Sequence, residues 1–338
     1  MATLSGDSTP LRLLFLGDVM LGRLVNQVLQ QVDVTYPWGN TLELLLQADT
    51  RICNLECVLA DIGSPWSLTP KVFHFRADAC KVAVLQAARI ETVSLANNHT
   101  LDFGYEALLQ MLSVLRRAGL HFAGAGSNRL EARQPALWEA AGRKLGLLAL
   151  TDNEPAWEAG PERAGIWYMP MTMSDSRALE LRAVLKAVRA QVDWLIVSLH
   201  WGGNWGYTPP AEHRAFAHAL IDAGADIVYG HSSHVVRGIE IYRGRPVLYS
   251  CGDFVDDYAV DQHERNDLSF IFSIEVSGSQ LTRLQLYPTV IRAFQARRAY
   301  GSDREEIVAT MLRLCTLLGT AARWSEQEGC LEIAVGEV

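Results

Sequence analysis

The sequence predicts an α/β layered fold, and three observations carry that prediction. Short apolar runs alternate with longer amphipathic stretches along most of the chain. The short runs are rich in Leu, Ile and Val and are bounded by Gly, Asn or Asp, as strands are. Several are apolar on both faces, which suits strands buried between layers. Strands alternating with helices in this way pack as layers of sheet and helix.

The strand candidates, in order, are residues 12–17 (RLLFLG), 51–56 (RICNLE), 92–97 (TVSLAN), 120–126 (LHFAGAG), 144–150 (KLGLLAL), 193–200 (DWLIVSLH), 226–231 (DIVYGH) and 246–251 (PVLYSC). Helical spacing of apolar residues marks 103–119, 174–191 and 210–224. The first of these closes with Arg116 and Arg117 and then Gly119, and Asp102 stands where an N-cap belongs. The third has Pro210 near its first position and Gly224 past its end. After residue 265 the pattern changes. Residues 268–278 and 281–291 alternate and are joined by a short Gly-Ser turn, which predicts an antiparallel hairpin on the sheet. A final helix is expected at about 303–325. No linker or internal repeat divides the chain, so a single domain is expected, with a core at about 11–255 and residues 265–338 packed on it.

Composition narrows the function. At 338 residues, 49% hydrophobic and 20% charged, the chain is globular. Its net charge of −8 lacks the basic footprint of a nucleic-acid binder. None of the six cysteines forms a CxxC pair, and most lie in apolar patterns, so they read as buried thiols. The first apolar run is short and ends in Gly-Asp, which makes it a first strand rather than a targeting segment. No apolar run approaches the roughly 20 residues that span a bilayer. The expected location is cytoplasmic.

The residues able to do chemistry share one position, the end of a strand. Asp18 follows the first strand, Asn54 and Glu56 end the second, and Asn97, Asn98 and His99 end the third. His200 ends a later strand, and His231 and His234 follow another. Singly, each has an ordinary role as a cap, a turn residue or a hydrogen-bonded rim histidine. Together they would meet at the carboxyl edge of a sheet, where open α/β folds bind ligands. Mixed carboxylate, amide and imidazole donors suit Mn, Zn or Fe. Two such ions ~3.5–4 Å apart would need a bridging carboxylate, for which Glu56 or Asp18 is available, and a metal-bound water would be the nucleophile.

These motifs resemble the poly-γ-glutamate capsule-biosynthesis (CapA-like) family, within the calcineurin-like metallophosphoesterases. The resemblance runs in order through FLGDVMLGR, NLE, SLANNHTLDFG, GAG, SLHWG, GHSSHVVRGIEIYRGRPVLYS and CGDF, over about residues 11–255. It implies a four-layer αββα sandwich. It also implies metal ligation by Asp18, Glu56, Asn98, His200, His231 and His234, with His99, Asp18 and Asp253 as catalytic groups. One or two divalent ions are implied, or none where acid–base chemistry alone operates. Arg23, Asn97, Trp201 and Asn204 are the implied substrate contacts; Trp205 and Tyr207 are further pocket candidates, and His74 and His263 lie in loops able to cover the site. The chain departs from the wider metallophosphoesterases at Met20 and at the closing histidines, which Ser232 and Ser233 separate, both features typical of the CapA-like branch, and from that branch at Asn204 and Asp253. Met20 stands where metallophosphoesterases have a histidine, Asn204 where a Glu is expected after HWG, and Asp253 where GNF is expected. Three readings follow: metal-assisted hydrolysis or transfer on an anionic peptide, polyglutamate or phosphoester; cofactor-independent epimerisation of a peptide; and non-catalytic capsule assembly.

Overall fold

The structure is a computed structural model that describes residues 10–336. Its parallel strands split into two facing sheets. In the first, Leu11–Val19, Thr50–Leu55, Thr92–Ser94 and His121–Ala123 lie side by side in parallel. In the second, Arg143–Thr151, Trp194–His200, Ile227–His231 and Arg245–Leu248 do the same. The expected hairpin forms from Leu268–Ser277 and Gln280–Arg292 and extends the first sheet, with Leu11 opposite Val276.

Three separate apolar cores identify the layers. Alternate residues of the first strand face opposite ways, as the period of a strand requires. Leu13 and Phe15 join Ile196, Ile227 and Tyr229 in the core between the sheets. Leu14 and Leu16 face the other way, into a core with Leu108, Met111 and Leu112 of the helix Gly104–Arg117. On the far side of the second sheet, Leu195, Val197 and Leu199 pack on Leu181 and Leu185 of Arg177–Arg189 and Phe216 and Leu220 of Ala211–Asp222. Helix, sheet, sheet, helix is the expected four-layer αββα sandwich.

Three expectations need correction. The run 120–126 is two elements. His121–Ala123 stays in the first sheet, whereas Ala125–Gly126 pairs with Gly165–Ile166. The break is at Gly124, whose φ of +94° and close approach to Ala96 and Ala149 leave no room for a Cβ. The last helix is Gly301–Leu317 rather than 303–325, because the chain turns at Gly319 (φ +78°). It then forms a second hairpin, Ala322–Ser325 with Cys330–Ile333, on the edge of the first sheet. Asp102 is no N-cap, since Phe103 precedes the helix and no side chain caps it. No helix among the described residues is long and apolar enough to cross a membrane.

Candidate metal centre

The ends of the parallel strands bring the predicted residues together. Asp18 is opposite Asn54 on one neighbouring strand and Asp253 on the other, the short parallel strand Asp253–Val255. Irregular pairing at Asp18 on both sides re-aims the chain there. The close crossing depends on Gly17, because a Cβ at that position would lie 2.0 Å from the Gly252 carbonyl oxygen. In the second sheet His200 is directly opposite His231.

Asp18, Glu56, His234 and Asp253 each offer a ligand atom, and these atoms all lie within 4.8 Å of one another. Asp18 accepts a hydrogen bond from the Asn54 amide at 2.8 Å through Oδ1. Asp253 Oδ1 faces His234 Nδ1 at 2.9 Å. The remaining carboxylate oxygens, Asp18 Oδ2, Asp253 Oδ2 and both of Glu56, are buried with no hydrogen-bond partner. Buried unpaired carboxylate oxygens are costly and are found where a cation or proton completes them. Burial pushes the Asp18 carboxyl up to about 6. Burial, and after it the charge of Asp18, holds Glu56 and Asp253 well above the usual carboxylate range. The donor set therefore fits a divalent cation of the oxygen- and nitrogen-preferring kind.

Other predicted ligands surround this group. His200 Nε2 lies 3.9 Å from Glu56 Oε1, and its Nδ1 is 3.5 Å from the Asn54 amide nitrogen. His231 Nε2 is paired with the Ser198 hydroxyl at 2.7 Å, and its Nδ1 is 3.7 Å from Asp18 and otherwise unpartnered. Burial lowers both imidazoles, His231 to about 3, so each is neutral near pH 7. Asn98 Oδ1 is also buried without a partner. His99 stands beside the group, Nδ1 2.6 Å from Asp102 and its ring stacked on Phe75 at 3.9 Å.

The expected substrate contacts are not all brought to the opening. Asn97 spends its polar atoms internally: its amide donates to Asn54 Oδ1 and the Leu55 carbonyl, and its oxygen accepts from the His99 N–H and the Thr100 hydroxyl. It is a scaffold residue because it joins two strand ends. Trp201 is fully buried, stacked on His213 and Tyr249, with its indole N–H on the Tyr249 carbonyl. Its position one residue past the strand turns it into the outer core. Asn204 is exposed on the following loop, and its neighbour Trp205 is half-exposed with its ring 6.1 Å from His234. Tyr207 anchors that loop through the Glu264 carbonyl. Arg23 pairs with Asp257 and lies over the Phe75 and Tyr258 rings at 4.8 and 5.6 Å. His74 bonds the Trp66 carbonyl at 3.1 Å, and His263 is exposed.

Sequence reasoning missed four groups. Asp102, at a position where a cap is expected, is the partner of His99 and also accepts from the Phe75 N–H at 2.7 Å. The His-x-x-Asp spacing in NHTLD was the available signal. Lys71 bonds the Asn98 carbonyl and lies 3.5 Å from Asp102; nothing in its loop sequence marks it. Asp256, with an unpaired buried oxygen, and Tyr258, whose ring lies 5.0 Å from His234, follow CGDF in the sequence.

The αββα sandwich, with acids and imidazoles gathered at its strand ends, is a metallophosphoesterase-like fold. The model of the bacterial capsule synthesis protein family matches residues 12–258, and the chain belongs to that family. It is 34% identical over 359 residues to a probable polyglutamine synthesis accessory protein of Mycobacterium tuberculosis, covering 94% of each. It is 28% identical to the capsule biosynthesis protein CapA of Bacillus anthracis, covering 97% of this chain and 78% of that one. Among solved structures, a putative 5′-nucleotidase from Staphylococcus aureus is similar at 14% identity with a TM-score of 0.47. That match covers 92% of this chain and 58% of the nucleotidase chain.

Proposed function

We propose that this protein is a metal-assisted hydrolase or transferase acting on an anionic peptide or polyglutamate chain. The observation that carries the reading is the set of unpaired, buried carboxylate oxygens of Asp18, Glu56 and Asp253 around His234. Three carboxylates and neutral imidazoles leave a negative charge that a divalent cation would offset. Asp18, Glu56 and His234 would hold a Mn, Zn or Fe ion, with Asn98, His200 and His231 as the donors of a second. Such an ion supplies a polarised substrate oxygen and a bound water of lowered pKa. His99, oriented by Asp102, would pass a proton to the leaving group. Arg23 would receive an anionic group of the substrate at the opening, a role for which its planar donors are suited. Relatives named for polyglutamine synthesis and for capsule biosynthesis support a polymer of glutamine or glutamate as the one to try first.

A second reading rests on a different observation. Two imidazole–carboxylate pairs, His99 with Asp102 and His234 with Asp253, flank the ring pair Phe75 and Tyr258. Opposed pairs of this kind suit removal of a proton from an α-carbon on one side and its return on the other.

Metal analysis of protein purified without chelator, joined to a chain-length assay on poly-γ-glutamate, separates the two. The hydrolase reading expects bound divalent metal and cleavage that chelator abolishes and Mn(II) restores. Protein that carries no metal, with α-carbon deuterium uptake unaffected by chelator, would sink it in favour of the second.

A further inference from the structure

Two residues beyond Asp18, Met20 is fully buried and its sulfur accepts the Gly22 N–H at 3.0 Å. The first strand therefore offers the centre one donor, Asp18, and Met20 is committed elsewhere. On the adjoining strand Asp253 is the direct partner of Asp18, and the Asp18 N–H bonds the Gly252 carbonyl at 2.9 Å. That contact fixes the spacing of the two carboxylates through the backbone rather than through side-chain packing. Asp253 itself is fully buried. Its Oδ1 is used by His234, and its Oδ2 makes no hydrogen bond of normal geometry, although the side chains of Asp256 and Asn266 lie beside the carboxylate. Orienting His234 requires one oxygen, so the second is surplus to a purely supporting role. Both oxygens of Glu56 and Oδ2 of Asp18, equally unpaired, belong to the same group.

We infer that Asp253 is a direct ligand of the cation, supplying through Oδ2 the donor that Met20 does not provide. Its two oxygens divide the work: Oδ1 holds His234 in place and Oδ2 binds the ion. The centre on the first-sheet side is then Asp18, Glu56, Asp253 and His234, three carboxylates and one imidazole. A donor set this rich in oxygen favours Mn(II) over Zn(II) more than a histidine at position 20 would. The inference rests on the metal-assisted reading above.

The test is a Mn(II) titration of the full-length protein, with free ion read by electron paramagnetic resonance, for wild type and Asp253→Asn. The asparagine keeps an oxygen for His234 and loses the charged ligand, so a supporting role survives the substitution and a ligand role does not. Loss of more than about 100-fold in Mn(II) affinity is expected, beyond the 10–100-fold that follows loss of an outer partner of a ligand. A smaller loss overturns the assignment. Should the variant fail to fold, wild-type protein with ¹³C in its aspartate side-chain carboxyls answers the same question. Electron–nuclear double resonance on bound Mn(II) is then expected to show two directly coupled carboxyl carbons, and a single one overturns the proposal. Wild-type protein that binds no Mn(II) removes the metal-assisted reading together with this inference, an outcome distinct from tight binding that Asp253→Asn leaves unchanged.

Discussion

At the scale of single residues, Asp102 shows how a local pattern misleads. It precedes a helix, so capping was the natural expectation, yet it turns inward to hold His99 and the Phe75 N–H. Burial raises its carboxyl to about 7, while Lys71 opposes that rise. Asp102→Ala would leave two buried donors unpaired, at about 1–3 kcal/mol each. Urea unfolding should register the two losses together, about 2–6 kcal/mol, along with loss of the proton-transfer step on any substrate that wild type turns over. His213 gives a pH prediction. It stacks on Trp201, and burial, with Arg237 contributing, lowers it from 6.5 to about 4. As pH falls below 6.5 the unfolded chain takes up this proton before the folded one. Its contribution to stability is therefore complete above about 6.5 and is lost as pH falls toward 4. His213→Gln should flatten that part of the stability–pH curve, measured by unfolding midpoints at a series of pH values. The strand-end acids and histidines were legible because each ends an apolar run. Asp102 and Lys71 were not, because their partners are fixed by folding.

At the scale of elements, the crossing of Leu11–Val19 and Asp253–Val255 sets the site. It requires Gly17, whose missing Cβ is replaced by the Gly252 carbonyl. Gly17→Ala should destabilise by about 1–3 kcal/mol through overpacking. It should also weaken Mn(II) binding, because it pushes Asp253 away from Asp18; unchanged binding in the folded variant would refute that coupling. Strands and helices with strong periodicity were readable, the hairpin of Leu268–Ser277 and Gln280–Arg292 included. Residues 120–126 and 303–325 were misjudged because apolar content continues across a glycine that turns the chain, and periodicity does not register a single positive φ.

At the scale of the whole molecule, the sandwich concentrates three buried carboxylates at one place and so carries an electrostatic cost there. A cation bound by the folded state alone should offset it. At 100 times its dissociation constant the gain is about 2.7 kcal/mol. The thermal midpoint should therefore rise with added Mn(II) and fall with chelator. Glu56→Gln should stabilise the metal-free protein near neutral pH, because burial and Asp18 hold the Glu56 carboxyl well above its range in the unfolded chain, and should erase the Mn(II) increment. An increment that survives in Glu56→Gln would place the ion elsewhere.

The sequence by itself determined the α/β class, the order of most strands and helices, and which residues end them, because hydrophobic periodicity and turn chemistry are local properties. It also carried the ordered motifs of the family. Only the tertiary structure decided which of those ends meet. It united Asp18, Glu56, His234 and Asp253, left Trp201 in the outer core, made Asn97 a strut, and paired His99 with Asp102. The physical reason is that strand pairing, the two-residue period and the glycine crossings set distances between residues far apart in the chain, and the chemistry of the site depends on those distances.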